Sequence, residues 1–191
     1  LTAAEEAWHL IGSSPGVIQL SAVVAKIGLA LLDAGHPSRA LAILTKAIDD
    51  ADRRLGVEPS GTLLLNAGWA ALDCEVPEQA AYWFDRALNE SPRVVQFFLA
   101  EAASGASATL CRLGVPGARG HSAAAAELCR RQGVPVFPRL TAAVDAAAAS
   151  TGGADGDLEG GHVSRWVAVR NDELIVPICE AIQAVRQRTR P

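Results

Sequence analysis

The side chains most able to do chemistry in this chain are four histidines (His9, His36, His121, His162) and four cysteines (Cys74, Cys111, Cys129, Cys179). A zinc site needs three or four such groups at short, defined spacings, because its tetrahedron is only about 2 Å in radius. These eight share no ligand spacing, form no CxxC pair and include no HExxH. A site can be drawn from Cys111, His121 and Cys129, but only a fold could gather them. Gly120-His121-Ser122 sets an imidazole beside a hydroxyl. Adjacent residues rarely make a working base and nucleophile, and Ser122 reads as a helix cap. No GxxxxGK[ST] offers a phosphate cradle, and no GxGxxG follows a strand. The expectation is no catalytic residue, no metal ligand and no cofactor. The cysteines read as small buried apolar groups in a reducing cytoplasm.

The elements that would position any site announce themselves by repetition. Ala30-Leu31-Leu32-Asp33-Ala34-Gly35-His36-Pro37-Ser38-Arg39-Ala40 aligns on Ala70-Ala71-Leu72-Asp73-Cys74-Glu75-Val76-Pro77-Glu78-Gln79-Ala80, forty residues on. At the same offset Gly28 aligns on Gly68, Leu44 on Phe84 and Ala47 on Ala87. In the second copy Leu64, Ala67, Gly68 and Ala71 recur at helical spacing. Pro77 then stands at a first helical position, followed by Ala80, Phe84 and Ala87 on one face. Asn89-Glu90-Ser91-Pro92 ends the second helix, since proline excludes the preceding residue from helical dihedrals. Each copy is thus a helical hairpin. Small residues at Gly28 with Ala40, and at Gly68 with Ala80, are expected to let the paired axes approach.

Gly68, Ala80, Phe84, Ala87 and Pro92 stand where the tetratricopeptide repeat (TPR) pattern has its small, aromatic and proline positions. The chain resembles that family over residues 17–92, with a degenerate continuation to about 131. The first copy resembles it through Gly28, Ala40, Leu44 and Ala47, but has Asp52 at the terminal proline position. Its run Asp49-Asp50-Ala51-Asp52-Arg53-Arg54-Leu55 lengthens the period to forty, against thirty-four for the family. Ala3, Ala7, Leu10 and Pro15, with a Thr2/Glu5 capping box, suit the second helix of an earlier hairpin. The resemblance implies a mainly α fold of hairpins stacked into a right-handed superhelix. It also implies a concave groove lined by first helices, which takes a peptide or partner protein. Lys26, Asn66 and Trp69 are the residues expected to bind that partner. Lys26 and Asn66 would hydrogen-bond its carboxylate or backbone, and Trp69 would anchor it. Trp83 and Tyr82 cluster with Trp69, and the alternative is that both tryptophans fill gaps between hairpins. Asp33 and Asp73 recur at the loop rim, a solvated position.

Beyond Pro92 the pattern fades. Val94–Leu113 is long enough for a helix, and His121 or Ser122 can cap another running to about Arg131. The simple reading is a third, degenerate hairpin. Gly133-Val134-Pro135-Val136-Phe137 reads either as an extended linker between helices or as the helix-to-strand passage of an α/β unit. Thr151–Gly161 is rich in Gly and Asp and reads as a loop or linker. Val163, Trp166, Val167 and Val169 have strand composition, and Leu174-Ile175-Val176 suits a return strand before a helix opened by Pro177. Alternatively Asp172 caps one helix with Pro177 in its first turn. The expected organisation is a TPR-like domain over 1–150, a linker over 151–162 and a strand/helix appendage over 163–191, with a small β-hairpin.

Composition narrows the function. Half of the 191 residues are apolar and 20% charged, which suits a globular chain. The net charge of −4 gives no footprint for nucleic acid, and no apolar run approaches the ~18 residues of a membrane span. Arginine outnumbers lysine fifteen to two, which fits a GC-rich coding sequence. The expected function is a cytoplasmic, bacterial protein–protein interaction scaffold. Its start at Leu1, in mid-repeat, suggests the sensing or assembly part of a larger regulator. The alternative is a small enzyme or ligand-binding α/β unit over residues 94–191, with chemistry from His121, Asp172, Glu173 or Cys179 and the repeats as a docking arm.

Overall fold

The computed structural model describes residues 17–55, 59–89, 96–133, 135–136, 138, 140–142, 145 and 173–189. Every regular element among them is helical: α1 (Val17–Asp33), α2 (Pro37–Asp50), a π-turn (Ala51–Leu55), α3 (Gly61–Asp73), α4 (Pro77–Asn89), α5 (Gln96–Arg112), α6 (Ala118–Arg131) and α7 (Val176–Thr189), with helical residues also at 138, 140–142 and 145. The expected half-repeat near the N-terminus and the first strand of the expected β-hairpin lie outside the described residues. The return strand expected at Leu174–Val176 is not formed. Glu173–Ile175 is a turn and Val176 opens α7, with Pro177 in its first turn, where its missing N–H costs nothing. Pro135 and Val136, in the stretch with two readings, belong to neither helix nor strand.

Three hairpins, α1/α2, α3/α4 and α5/α6, close with the same turn. His36 N–H donates to the Leu31 carbonyl at 2.8 Å, Val76 to Ala71 at 3.0 Å and Val115 to Leu110 at 3.0 Å. One residue earlier, Gly35 donates to Leu32, Glu75 to Leu72 and Gly114 to Cys111. This 6→1 and 5→2 pair ends a helix only if the penultimate residue is left-handed. Gly35 and Gly114 adopt φ of 75° and 63°, and Glu75 is forced to 60°. The repeat therefore occurs a third time in geometry, where its side-chain pattern is hard to read. Pro37 and Pro77 then start the second helices.

The hairpins stack in order. α1 packs on α3 and α3 on α5, while each second helix packs on its own first helix and the next one. α3 is consequently surrounded by α1, α2, α4 and α5, and every residue from Leu63 to Leu72 is buried. Apolar residues on all sides are what a helix in that position requires. Ser60 caps it, its hydroxyl accepting the Leu63 N–H at 3.3 Å.

Glycines set the close approaches. A Cβ at Gly28 would lie 2.6 Å from Leu44 Cδ2, and one at Gly68 would lie 2.7 Å from Phe84 Cζ. Gly105 of α5 presses on the same Phe84 ring from the next hairpin. The space each missing Cβ leaves is thus filled by the large residue of the repeat, Leu44 or Phe84, rather than by Ala40 or Ala80. Those alanines are fully buried beside it. The third hairpin packs through smaller groups. Ser104 Oγ lies 3.5 Å from Cys129 Sγ, Cys111 Sγ 3.2 Å from Ser122 Oγ, and Ser107 donates to the His121 carbonyl at 3.1 Å.

α7 does not stand apart. Ile178 and Ile182 are fully buried, Val185 nearly so, and all three join the same core, with α7 packed on α4 and α5.

Candidate functional site

The three residues expected to bind a partner occupy different environments. Lys26 is exposed on α1. Asn66 is buried in α3, and its side-chain amide donates to the Ala25 carbonyl of α1 at 2.8 Å. Trp69 is 3% exposed, edge-on to Phe84 at 5.2 Å and 77°, and its indole N–H donates to the Glu101 carboxylate of α5 at 3.2 Å. Asn66 and Trp69 therefore tie adjacent first helices together, α3 to α1 and α3 to α5. A buried amide left unmet costs about 1–3 kcal/mol, so these bonds fix the spacing of the wall.

Around Lys26 the outer face of α1 is open. Ala22, Val23, Lys26, Leu29, Ala30 and Asp33 are all exposed, at the three- and four-residue spacing of one helix face. Val23 is 41% and Leu29 44% exposed. The opposite face carries Val24, Ala25 and Leu32 into the core. Among the described residues, then, the first-helix surface open to a partner belongs mainly to α1, with Lys26 at its centre.

Two ionic clasps hold α4, each to a partner far along the chain. Arg86 of α4 grips Asp52 with two bonds, 2.9 and 3.2 Å, which anchors the π-turn. Asp52 stands where the resemblance expected proline, so the departure has a structural role. Asp85, 2% exposed, accepts from Asn89 at 2.7 Å and pairs with Arg186 of α7. The Arg186 guanidinium also lies 4.9 Å above the Tyr82 ring. Tyr82 and Trp83 are half-buried and buried and stack edge-on at 4.5 Å, so both tryptophans take the gap-filling alternative. The one signal for these clasps is a charged pair, Asp85-Arg86, inside an otherwise apolar stretch of helix.

The groups proposed for an enzyme show no activation. Burial pushes the Cys179 thiol up to about 11, and the carboxylates of Asp85 and Glu180 push the same way. Burial raises Cys111 as well, against the Ser122 hydroxyl and Arg119, which pull down. Such thiols hold their protons at neutral pH, whereas a nucleophile must lose it. Burial lowers His121 and so keeps it neutral. Glu173 is exposed in the turn before α7, and Asp172 lies outside the described residues. Cys111 and Cys129 meet serine hydroxyls, and no three metal-ligating side chains gather among the described residues. All four cysteines are free. No described helix is long and apolar enough to cross a membrane.

No family model, curated protein or solved structure matches this chain.

Proposed function

We propose that this chain is a protein-interaction module. In this reading its three hairpins form a TPR-like right-handed superhelix that takes a peptide or partner protein along the first helices. The observation that carries it is the open face of α1, where Val23, Lys26 and Leu29 stand exposed above a packed interior. Exposed aliphatic residues beside a cation suit a partner that offers apolar side chains and a carboxylate. Lys26 is the contact, and Asn66 and Trp69 are positioning residues that hold α1, α3 and α5 in register. The four free thiols agree with a reducing cytoplasm. A sensing or assembly role within a larger bacterial regulator belongs to the same reading.

The test is affinity capture from the source cell on the immobilised chain, with Lys26→Glu and Leu29→Asp in parallel. A specific protein retained by the wild type and lost by both variants, at unchanged helical circular dichroism and Tm, is the expected result. Equal retention on all three would refute the role of α1.

A further inference from the structure

The first hairpin carries an open groove of about 810 Å³, running along α2 and closed at one end by the α3–α4 turn. On α2 it is lined by Ser38, Leu41, Ala42, Thr45, Lys46 and Asp49. Forty residues on, the same repeat positions in α4 are Glu78, Ala81, Tyr82, Asp85, Arg86 and Asn89. That second surface is not empty, because α7 packs on α4 and α5, with Arg186 on Asp85 and over Tyr82. The groove on α2, beside the end of α3, is the repeat equivalent of the seat that α7 fills.

The differences between the two seats describe an occupant. Ala42 replaces Tyr82 and vacates the volume of a phenol ring. Thr45 replaces Asp85, and its buried hydroxyl has no hydrogen-bond partner. One turn further, Asp49 offers an exposed carboxylate near the C-terminal end of α2, where the helix dipole also favours a cation. Lys46 is held by Asp50 at 3.3 Å, and Arg53 stands on the π-turn at the far end. Ser38 to Asp49 covers about 16 Å of helix, a length that suits a rod of three turns better than a compact ligand.

We infer that this groove seats one amphipathic helix of a partner protein. That helix is apolar at i, i+4 and i+7 with a basic side chain next to the last, the pattern of Ile178, Ile182, Val185 and Arg186 in α7. Its apolar stripe lies over Leu41 and Ala42, and its cation reaches Asp49. Helix-in-groove docking of this kind is read from such anchors. The site is separate from the face of α1 and stands or falls independently of it.

The probe is a fluorescein-labelled peptide of residues 173–190, titrated by anisotropy into the full chain. Saturable binding is expected. Ala42→Trp fills the groove from an exposed position and should weaken binding at least about tenfold, with Ser38→Arg at the groove mouth as a second block. Thr45→Asp restores the carboxylate of the α4 seat. It should strengthen binding about tenfold, the scale of a close charge pair, and leave a peptide with Arg186→Gln unaffected. Arg130→Gln, on the exposed side of α6, should change nothing. The inference is overturned by equal binding to wild type and both blocked variants, which would mean exchange with the chain's own α7. It is overturned equally by loss at Arg130→Gln, by self-association through the groove without peptide binding, or by no saturable binding to either wild type or Thr45→Asp.

Discussion

Phe84 is clamped between two glycines from different helices, and that contact can be tested directly. In Gly68→Ala the new Cβ falls 2.7 Å from Phe84 Cζ, where ordinary contact starts at 3.4 Å, and in Gly105→Ala it meets the ring more closely still. Neither ring nor backbone can give 0.7 Å freely, because Phe84 is fully buried and Trp69 lies edge-on against it. Overpacking costs about 1–3 kcal/mol, while alanine in place of a mid-helix glycine returns about 1 kcal/mol. Each variant should therefore lose up to about 2 kcal/mol net, or a few degrees in Tm for a chain of this size. The repair is to shorten the ring, since the atoms that the new Cβ meets are Phe84 Cζ, Cε1 and Cε2, which leucine lacks. Gly68→Ala with Phe84→Leu should cost less than the sum of the single changes, by at least about 0.5 kcal/mol in a urea-unfolding cycle. If Gly68→Ala and Gly105→Ala both stabilise the chain, or the double mutant is strictly additive, the clamp is not what holds the hairpins together.

Other outcomes follow from the same contacts. Glu75→Gly should stabilise by about 1 kcal/mol in urea unfolding, because a left-handed turn residue is strained in every L-amino acid but not in glycine. Asp85→Ala strands Arg186 and should cost about 3 kcal/mol, with α7 becoming the first site of limited proteolysis, whereas Asp85→Ala with Arg186→Met should recover part of the loss. The raised Cys179 thiol means that the folded state keeps a proton which the unfolded chain releases above about pH 8.5. Its contribution is intact below that pH and lost as pH climbs towards about 11, so unfolding midpoints should fall there, less steeply in Cys179→Ala. Asn66→Ala should cost about 0.5–1.5 kcal/mol by removing the bond that ties α3 to the Ala25 carbonyl of α1, read from the same melts.

Much of the architecture was legible along the chain. Period, proline placement and small residues are local signals. They specify helix, turn, helix, and they mark Gly28, Leu44, Gly68 and Phe84 as packing positions. The third hairpin was harder to see. Its identity lies in the Leu110-to-Val115 turn geometry, while its core uses serine, cysteine and alanine in place of a phenylalanine. Glu75 shows the same point from the other side, since backbone bonds impose the left-handed turn against the preference of the residue.

The sequence alone determined which segments coil and which faces of the first two hairpins are apolar, because helix period and turn chemistry act between residues a few positions apart. The tertiary structure alone decided where polar groups are spent. Asn66 and Trp69 look like free binding groups on an isolated helix, yet four surrounding helices bury α3 and turn both side chains inward. Lys26 stays open because, among the described residues, no other helix covers its side of α1. The pairing of Asp85 with Arg186 spans 101 residues and joins α7 to α4. Burial and long-range pairing depend on which surfaces meet, and no local pattern encodes that.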